Sequence, residues 1–258
     1  MTFCFDAHIH LEDNWWAPEE IIRLMDKGRM FCDNTVREKD WTAVLKRAEA
    51  SSSLVPFIGL HPWYADTTSS DWEHTMRFLL HEYPHAGVGE IGLDRCCKIP
   101  FTKQLEVFRL QLRLAVENNR PVSVHCVRAW GKLLEELEKL PLRGARIMIH
   151  GFAGSVETMH RLVRHGMYCS FSPMLCTERG QKIFPAIEQI PEEYLLLESD
   201  APGQLLAKQE VEDHILTYAN TMDALYQQVA SIRRISQEKL REQIEINGAV
   251  FTNATITG

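Results

Sequence analysis

Several short stretches, far apart in the chain, end in residues that bind metal ions or move protons. Asp6-Ala7-His8-Ile9-His10 is an HxH in a run with extended character. Side chains two apart on a strand leave the same face, so both imidazoles can reach one cation. Glu90 follows Gly87-Val88-Gly89, His125 closes Pro121-Val122-Ser123-Val124, and His150 closes Arg146-Ile147-Met148-Ile149. Asp200 follows Leu195-Leu196-Leu197-Glu198-Ser199, and His61 follows Gly59-Leu60. Singly, each has an ordinary explanation: a hydrogen-bonded core histidine, a carboxylate on a surface turn, a loop imidazole. Jointly those explanations are poor. His8, His10, His125 and His150 with Glu90 and Asp200 suffice for two divalent cations, one carboxylate bridging them. A nitrogen and oxygen donor set without thiolates suits Zn, Mn, Ni or Fe and tolerates Mg. The glycines before Glu90 point to close backbone approach around an ionised group, and a buried carboxylate needs a partner or a metal. Glu198, on the same strand face as Asp200, is placed to support the site from behind.

Residues so distant can meet only if the fold gathers strand ends. Short apolar runs recur near Phe3–His8, Met30–Asn34, Val55–His61, Ala86–Glu90, Pro121–His125, Ala145–His150, Met167–Ser172 and Tyr194–Asp200. They are continuous rather than alternating, as parallel strands buried on both faces are. Helical patterns fill the gaps. In Phe101–Asn119, Leu105, Phe108, Leu112 and Ala115 form one apolar stripe. Pro18 suits a first helical turn, Asp71 and Ser155 suit N-caps, and Gly166 suits a helix end. Two more helices, near Val211–Ile232 and Ser236–Val250, follow the last strand. Eight strand–helix alternations predict a (β/α)8 TIM barrel, with residues 1–258 as one domain. An open doubly wound sheet is the alternative, but no GxGxxG follows the first strand. In a barrel, the C-terminal strand ends converge on one face, where active sites form.

Composition narrows the function. A chain of 258 residues with 45% hydrophobic content can bury a core without staples. The seven cysteines are scattered and contain no CxxC, so neither a disulfide framework nor a structural zinc site is indicated. The first residues lack a basic, then apolar, leader pattern, and no apolar run approaches the ~20 residues that span a bilayer. A cytoplasmic protein away from membranes is the expectation; a monomer is compatible with the sequence. The net charge of -7 argues against a broad basic face for nucleic acid, although bound cations can supply positive field locally.

The ordered motifs DAHIH, GLHPW, GEIGLD, SVHC, IHGF and ESDAP, with Asn247–Phe251 near the end, resemble those of the TatD family of metal-dependent deoxyribonucleases. The resemblance covers nearly the whole chain. It implies that His8, His10 and Asp200 hold one metal, that His125 and His150 hold the other, and that Glu90 bridges them. It also implies a phosphodiesterase that degrades DNA from an end with Mg, Mn or related ions. Three stretches depart from the family pattern. Arg128 in Cys126-Val127-Arg128-Ala129 is displaced by one place, Arg95-Cys96-Cys97 replaces an aromatic after Asp94, and the Pro-rich loop after Asp200 is missing. The metal ligands are kept and the substrate-facing parts diverge.

The expected chemistry is hydrolysis by water activated at a binuclear site. Asp200 is the expected proton acceptor, Glu90 the bridge, and His61 a donor to the substrate. Arg95 and Arg128 are the expected phosphate contacts. The substrate would be a phosphodiester, including DNA ends, or a small-molecule ester. An amidohydrolase cleaving an amide or lactone would share every ligand, though no lysine ends the fourth or fifth strand as a carbamylated bridge. A catalytically silent metal-binding protein is the third reading.

Overall fold

The computed structural model describes residues 5–11, 15–25, 29–140, 144–206 and 213–253. The strands are β1 (Phe5–Ile9), β2 (Met30–Asn34), β3 (Leu54–Ile58), β4 (Gly87–Asp94), β5 (Val122–Val127), β6 (Ile147–Ile149), β7 (Tyr168–Phe171) and β8 (Leu195–Leu197). Between them run α1 (Pro18–Met25), α2 (Trp41–Glu49), α3 (Trp72–Glu82), α4 (Phe101–Glu117), α5 (Trp130–Glu138), α6 (Val156–Arg164) and α7 (Phe184–Gln189). After β8 come α8 (His214–Arg233) and α9 (Gln237–Thr252). All strands are parallel and each pairs with its sequence neighbour, in the order β1 to β8. This is the (β/α)8 barrel expected from the sequence. β3 and β4 are buried at every position, which explains why they read as unbroken apolar runs.

The seam between β8 and β1 is closed by the residues just past β8. Asp200 N donates to His8 O at 2.9 Å, His10 N to Ala201 O at 3.0 Å, and Ser199 N to the Asp6 carboxylate at 2.9 Å. Asn247–Phe251 locks the same seam from α9. Asn247 Nδ2 donates to Glu192 O and Leu195 O, both at 2.7 Å. Gly248 lies against the Phe5 ring, where a Cβ would meet a ring carbon at 2.4 Å. Phe251 stacks with Phe57 of β3 at 6.0 Å. These residues hold the barrel shut.

The structure departs from the expected elements at identifiable places. β4 does not end at Glu90 but runs on to Asp94, so Glu90 lies inside the strand. The register between β4 and β5 slips there: Val88 pairs with Val122 but Ile91 with Val124, an extra residue that re-aims the side chains around it. β5 likewise continues past His125 to Val127. β3 stops at Ile58, and His61 instead caps the short turn Pro62–Tyr64. Ser155 caps α6, its hydroxyl accepting from Thr158 N at 3.1 Å. Asp71 precedes α3 without a side-chain bond, because its φ of −112° and ψ of 8° are not the extended conformation a capping oxygen needs. The beginnings of the first expected strand (Phe3, Cys4) and of the helix expected from Val211 lie outside the described residues.

Candidate metal centre

Five of the six expected ligands and His61 surround the remaining one, Glu90. Its carboxylate is 3% exposed and sits at the C-terminal mouth of the barrel. Oε1 lies 2.8 Å from His125 Nδ1, 2.9 Å from His150 Nε2 and 3.2 Å from His61 Nε2. Oε2 lies 3.5 Å from both His8 Nε2 and His10 Nε2. Asp200 Oδ1 completes the second group, 3.6 Å from His10 Nε2 and 4.0 Å from His8 Nε2. One oxygen of the carboxylate therefore faces three imidazoles and the other faces two.

Backbone packing brings Glu90 to this position. A Cβ on Gly89 would meet Asn34 Oδ1 at 2.6 Å and Ser123 Cβ at 2.8 Å, and one on Gly59 would meet Gly89 C at 2.4 Å. Only hydrogen fits where β3, β4 and β5 converge on the carboxylate.

Partners behind the imidazoles orient the rings, and those of His10 and His150, being pure acceptors, also fix the tautomer. His10 Nδ1 must donate to the Asn34 carbonyl at 2.8 Å, so a neutral ring turns the Nε2 lone pair into the site. His150 Nδ1 lies 3.3 Å from Glu198 Oε1, a carboxylate also held by Gly151 N at 2.6 Å. His8 Nδ1 is 2.9 Å from Ser123 Oγ. These supports are of the kind that orient metal-binding histidines. The inward nitrogens then pair closely: His8 Nε2 to His10 Nε2 is 3.2 Å, and His125 Nδ1 to His150 Nε2 is 3.2 Å. Two nitrogens bound to one tetrahedral ion at ~2.1 Å would stand about 3.4 Å apart. Facing lone pairs at that spacing repel unless a cation or a proton lies between them, so the donor set fits divalent metal. His8, His10 and Asp200 could hold one ion, His125 and His150 a second, with Glu90 between.

His61 differs from the other imidazoles. Its Nδ1 accepts from Trp63 N at 3.2 Å, so its neutral ring carries the proton on Nε2, toward Glu90. In that state it donates a hydrogen bond and has no lone pair to offer a metal.

Electrostatics favour positive charge here. Burial works against the Glu90 carboxylate, but His61 and His150 and hydrogen bonds from His125 and His150 outweigh it and hold its pKa well below normal. Asp200 is likewise opposed by burial, yet His10, 3.6 Å away, and the neighbouring imidazoles lower it to about 2. Burial resists protonation of His125 and His150 too. Asp94 and Glu90 nevertheless raise the first, and Glu90 and Glu198 raise the second well above normal. His8 and His61 go down, chiefly through burial. An ionised core surrounded by imidazoles attracts cations.

Above these donors opens a cleft of about 320 Å³. Arg95 and Arg128, the expected phosphate contacts, do not line it. Arg95 packs its guanidinium over Phe101 at 4.1 Å, and Arg128 is exposed beyond β5. Arg37, Trp63 and Tyr64 line it instead. Trp63 is 54% exposed and donates its indole N–H to Asp94 Oδ2 at 2.6 Å. Gln204 donates to Asp200 Oδ2 at 2.7 Å and accepts from Ser172 Oγ at 2.6 Å. Sequence reasoning missed Trp63 and Gln204, although Trp63 lies two residues after His61 and Gln204 four after Asp200.

Residues 5–251 match the model of the family described as TatD related DNase. The chain belongs to the TatD family. Among its relatives, the Escherichia coli (strain K12) 3'-5' ssDNA/RNA exonuclease TatD is 35% identical over 182 residues, covering 68% of this chain and 67% of that protein. The human 3'-5' RNA nuclease TATDN2 is 30% identical over 215 residues, 81% of this chain. This TatD-family chain matches only 27% of that protein's length. The crystal structure of YjjV, a TatD homologue from Escherichia coli K12, superposes with a TM-score of 0.86 at 25% identity, covering 98% of both chains.

Proposed function

We propose that this chain is a metal-dependent phosphodiesterase that removes nucleotides from the end of a single-stranded nucleic acid, using two divalent ions. The observation that carries the reading is Glu90, whose two carboxylate oxygens face His8 and His10 on one side and His125 and His150, with His61, on the other. Relatives named as 3'-5' nucleases for ssDNA and RNA support the substrate class. Bound divalent ions of the Mg, Mn, Zn or Ni type would make water a stronger acid and offset phosphate charge.

The chain's own residues supply the rest. Asp200, ionised at neutral pH and 16% exposed in its side chain, can accept a proton inside the cleft. Gln204 fixes its other oxygen, so the accepting atom keeps its direction. His61 Nε2–H can donate to a phosphate oxygen or to the leaving group once substrate displaces its contact with Glu90. Every donor comes from one chain, so the centre needs no second copy and a single catalytic domain is enough. The described cysteines are all unpaired thiols, which fits a reducing compartment such as the cytoplasm. No helix among the described residues is long and apolar enough to cross a membrane.

The test uses oligodeoxynucleotides labelled at the 3′ or the 5′ end, with bis-p-nitrophenyl phosphate alongside. With Mn or Mg, both should be hydrolysed, the 3′ label being released first as a mononucleotide. EDTA should abolish both activities, and Mn, Mg or Co should restore them. Full turnover after exhaustive chelation and dialysis would refute the reading.

A further inference from the structure

Asp94 is a buried carboxylate beside the metal centre that the ligand set does not use. It is the last residue of β4 and is 2% exposed. Gln104 of α4, equally buried, clamps its backbone from behind. Asp94 N donates to Gln104 Oε1 at 2.8 Å, and Gln104 Nε2 donates to Asp94 O at 2.9 Å. In the carboxylate, Oδ1 accepts from Cys96 N and Oδ2 from the Trp63 indole, both at 2.6 Å. A carboxylate oxygen has two lone pairs, so Oδ2 has room for one more donor.

His125 lacks such an acceptor. The other three imidazoles facing Glu90 as expected ligands each have a partner behind the ring: Ser123 Oγ for His8, the Asn34 carbonyl for His10 and Glu198 for His150. His125 turns Nδ1 inward, 2.8 Å from Glu90 Oε1 and 3.2 Å from His150 Nε2. A neutral imidazole that offers Nδ1 to a metal carries its proton on Nε2. Nε2 of His125 is buried and has no hydrogen-bond partner among the described residues. Burying an N–H without an acceptor is costly. Asp94 Oδ2 stands 3.6 Å from it, just outside hydrogen-bond range. A ring movement of roughly half an ångström closes that gap.

We propose that Asp94 is a positioning residue for the second metal. Its Oδ2 takes the Nε2 proton of His125 and holds the ring with Nδ1 directed into the site. The same oxygen holds the exposed Trp63 indole, so one carboxylate joins the cleft wall to a ligand of the ion. Carboxylates behind metal-binding histidines commonly set ring orientation in this way. This role rests on the metal-centre reading and adds the support that the fourth imidazole lacks.

The experiment loads the chelated chain with Zn, which is diamagnetic, and reads the ¹⁵N and ¹H resonances of the His125 ring, assigned through its own carbon atoms. Nε2 should carry the proton, far downfield and slow to exchange, with Nδ1 as the metal-bound nitrogen. A ring protonated on Nδ1 overturns the proposal, and this spectrum of the wild-type chain requires no variant to fold. Asp94→Asn keeps the size but removes the charge and one of two acceptor oxygens. Mn affinity at one of the two positions should then fall about 10–100-fold, the usual effect of losing such a partner. Trp63→Phe, which removes only the indole donor, should leave Mn affinity close to wild type. Unchanged affinity in Asp94→Asn, or an equal loss in both variants, overturns the proposal, since Asp94 would then act only through Trp63. Turnover of bis-p-nitrophenyl phosphate with Mn separates this role from the hydrolase reading. Metal binding with the Nε2 proton in place but no turnover upholds Asp94 and refutes the hydrolase. Turnover with Nδ1 protonated refutes Asp94 alone, and a chain that binds no Zn refutes both.

Discussion

Asp200→Asn should lower kcat on a phosphodiester by at least ~10²–10⁴, the usual contribution of a positioned general base. The substitution keeps the size and one carbonyl oxygen and removes the charge and the proton acceptor. Misfolding is not expected to confuse the result. Asp200 has a φ of +47°, and asparagine is among the few residues that adopt left-handed backbone readily. The amide oxygen can still accept from Gln204. KM should change much less than kcat, because His61, Glu90 and the second imidazole pair are untouched. A variant with near wild-type kcat would mean that Asp200 lies off the reaction path.

Glu90→Gln should have a still broader effect, because one change faces both imidazole pairs. Mutating residues that merely support metal ligands costs about 10–100-fold in metal affinity, so loss of the central carboxylate should exceed a hundredfold at both positions. Turnover at ordinary metal concentrations should fall below detection. Raising Mn into the millimolar range should recover part of it, which a collapsed fold would not allow. His125 and His150 owe much of their raised proton affinity to Glu90. Removing it leaves them more readily neutral, so the variant need not bury uncompensated charge. Elemental analysis and kcat together decide the matter; retention of metal and rate would remove Glu90 from the centre.

The barrel was legible because both faces of a parallel strand are covered, so each strand is a continuous apolar run and the polar residue that follows stands out. His150 and Asp200, just past β6 and β8, are readable in that way, whereas His8 lies inside β1. Glu90 and His125 read as strand ends although their strands continue to Asp94 and Val127. The shift of pairing between Val88 and Ile91 that re-aims Glu90 is a relation between two strands and leaves no local pattern. Orientation was less accessible than identity. The Asn34 carbonyl that sets the His10 tautomer comes from another strand, and Trp63 N sets that of His61 through a turn. Arg95 and Arg128 carry charge near strand ends, but Arg95 is drawn onto Phe101. Arg37 reaches the cleft from three residues beyond β2. Asn247, singled out by motif, proved to be a clasp on β8.

The most direct test of a binuclear centre is to titrate the chelated chain with Mn, following bound metal by equilibrium dialysis and hydrolysis of bis-p-nitrophenyl phosphate together. Two ions per chain should bind, with turnover appearing in step with the second. Full turnover with one ion bound, or with none, would contradict the assignment of His8, His10, Glu90, His125, His150 and Asp200 as a shared two-metal site.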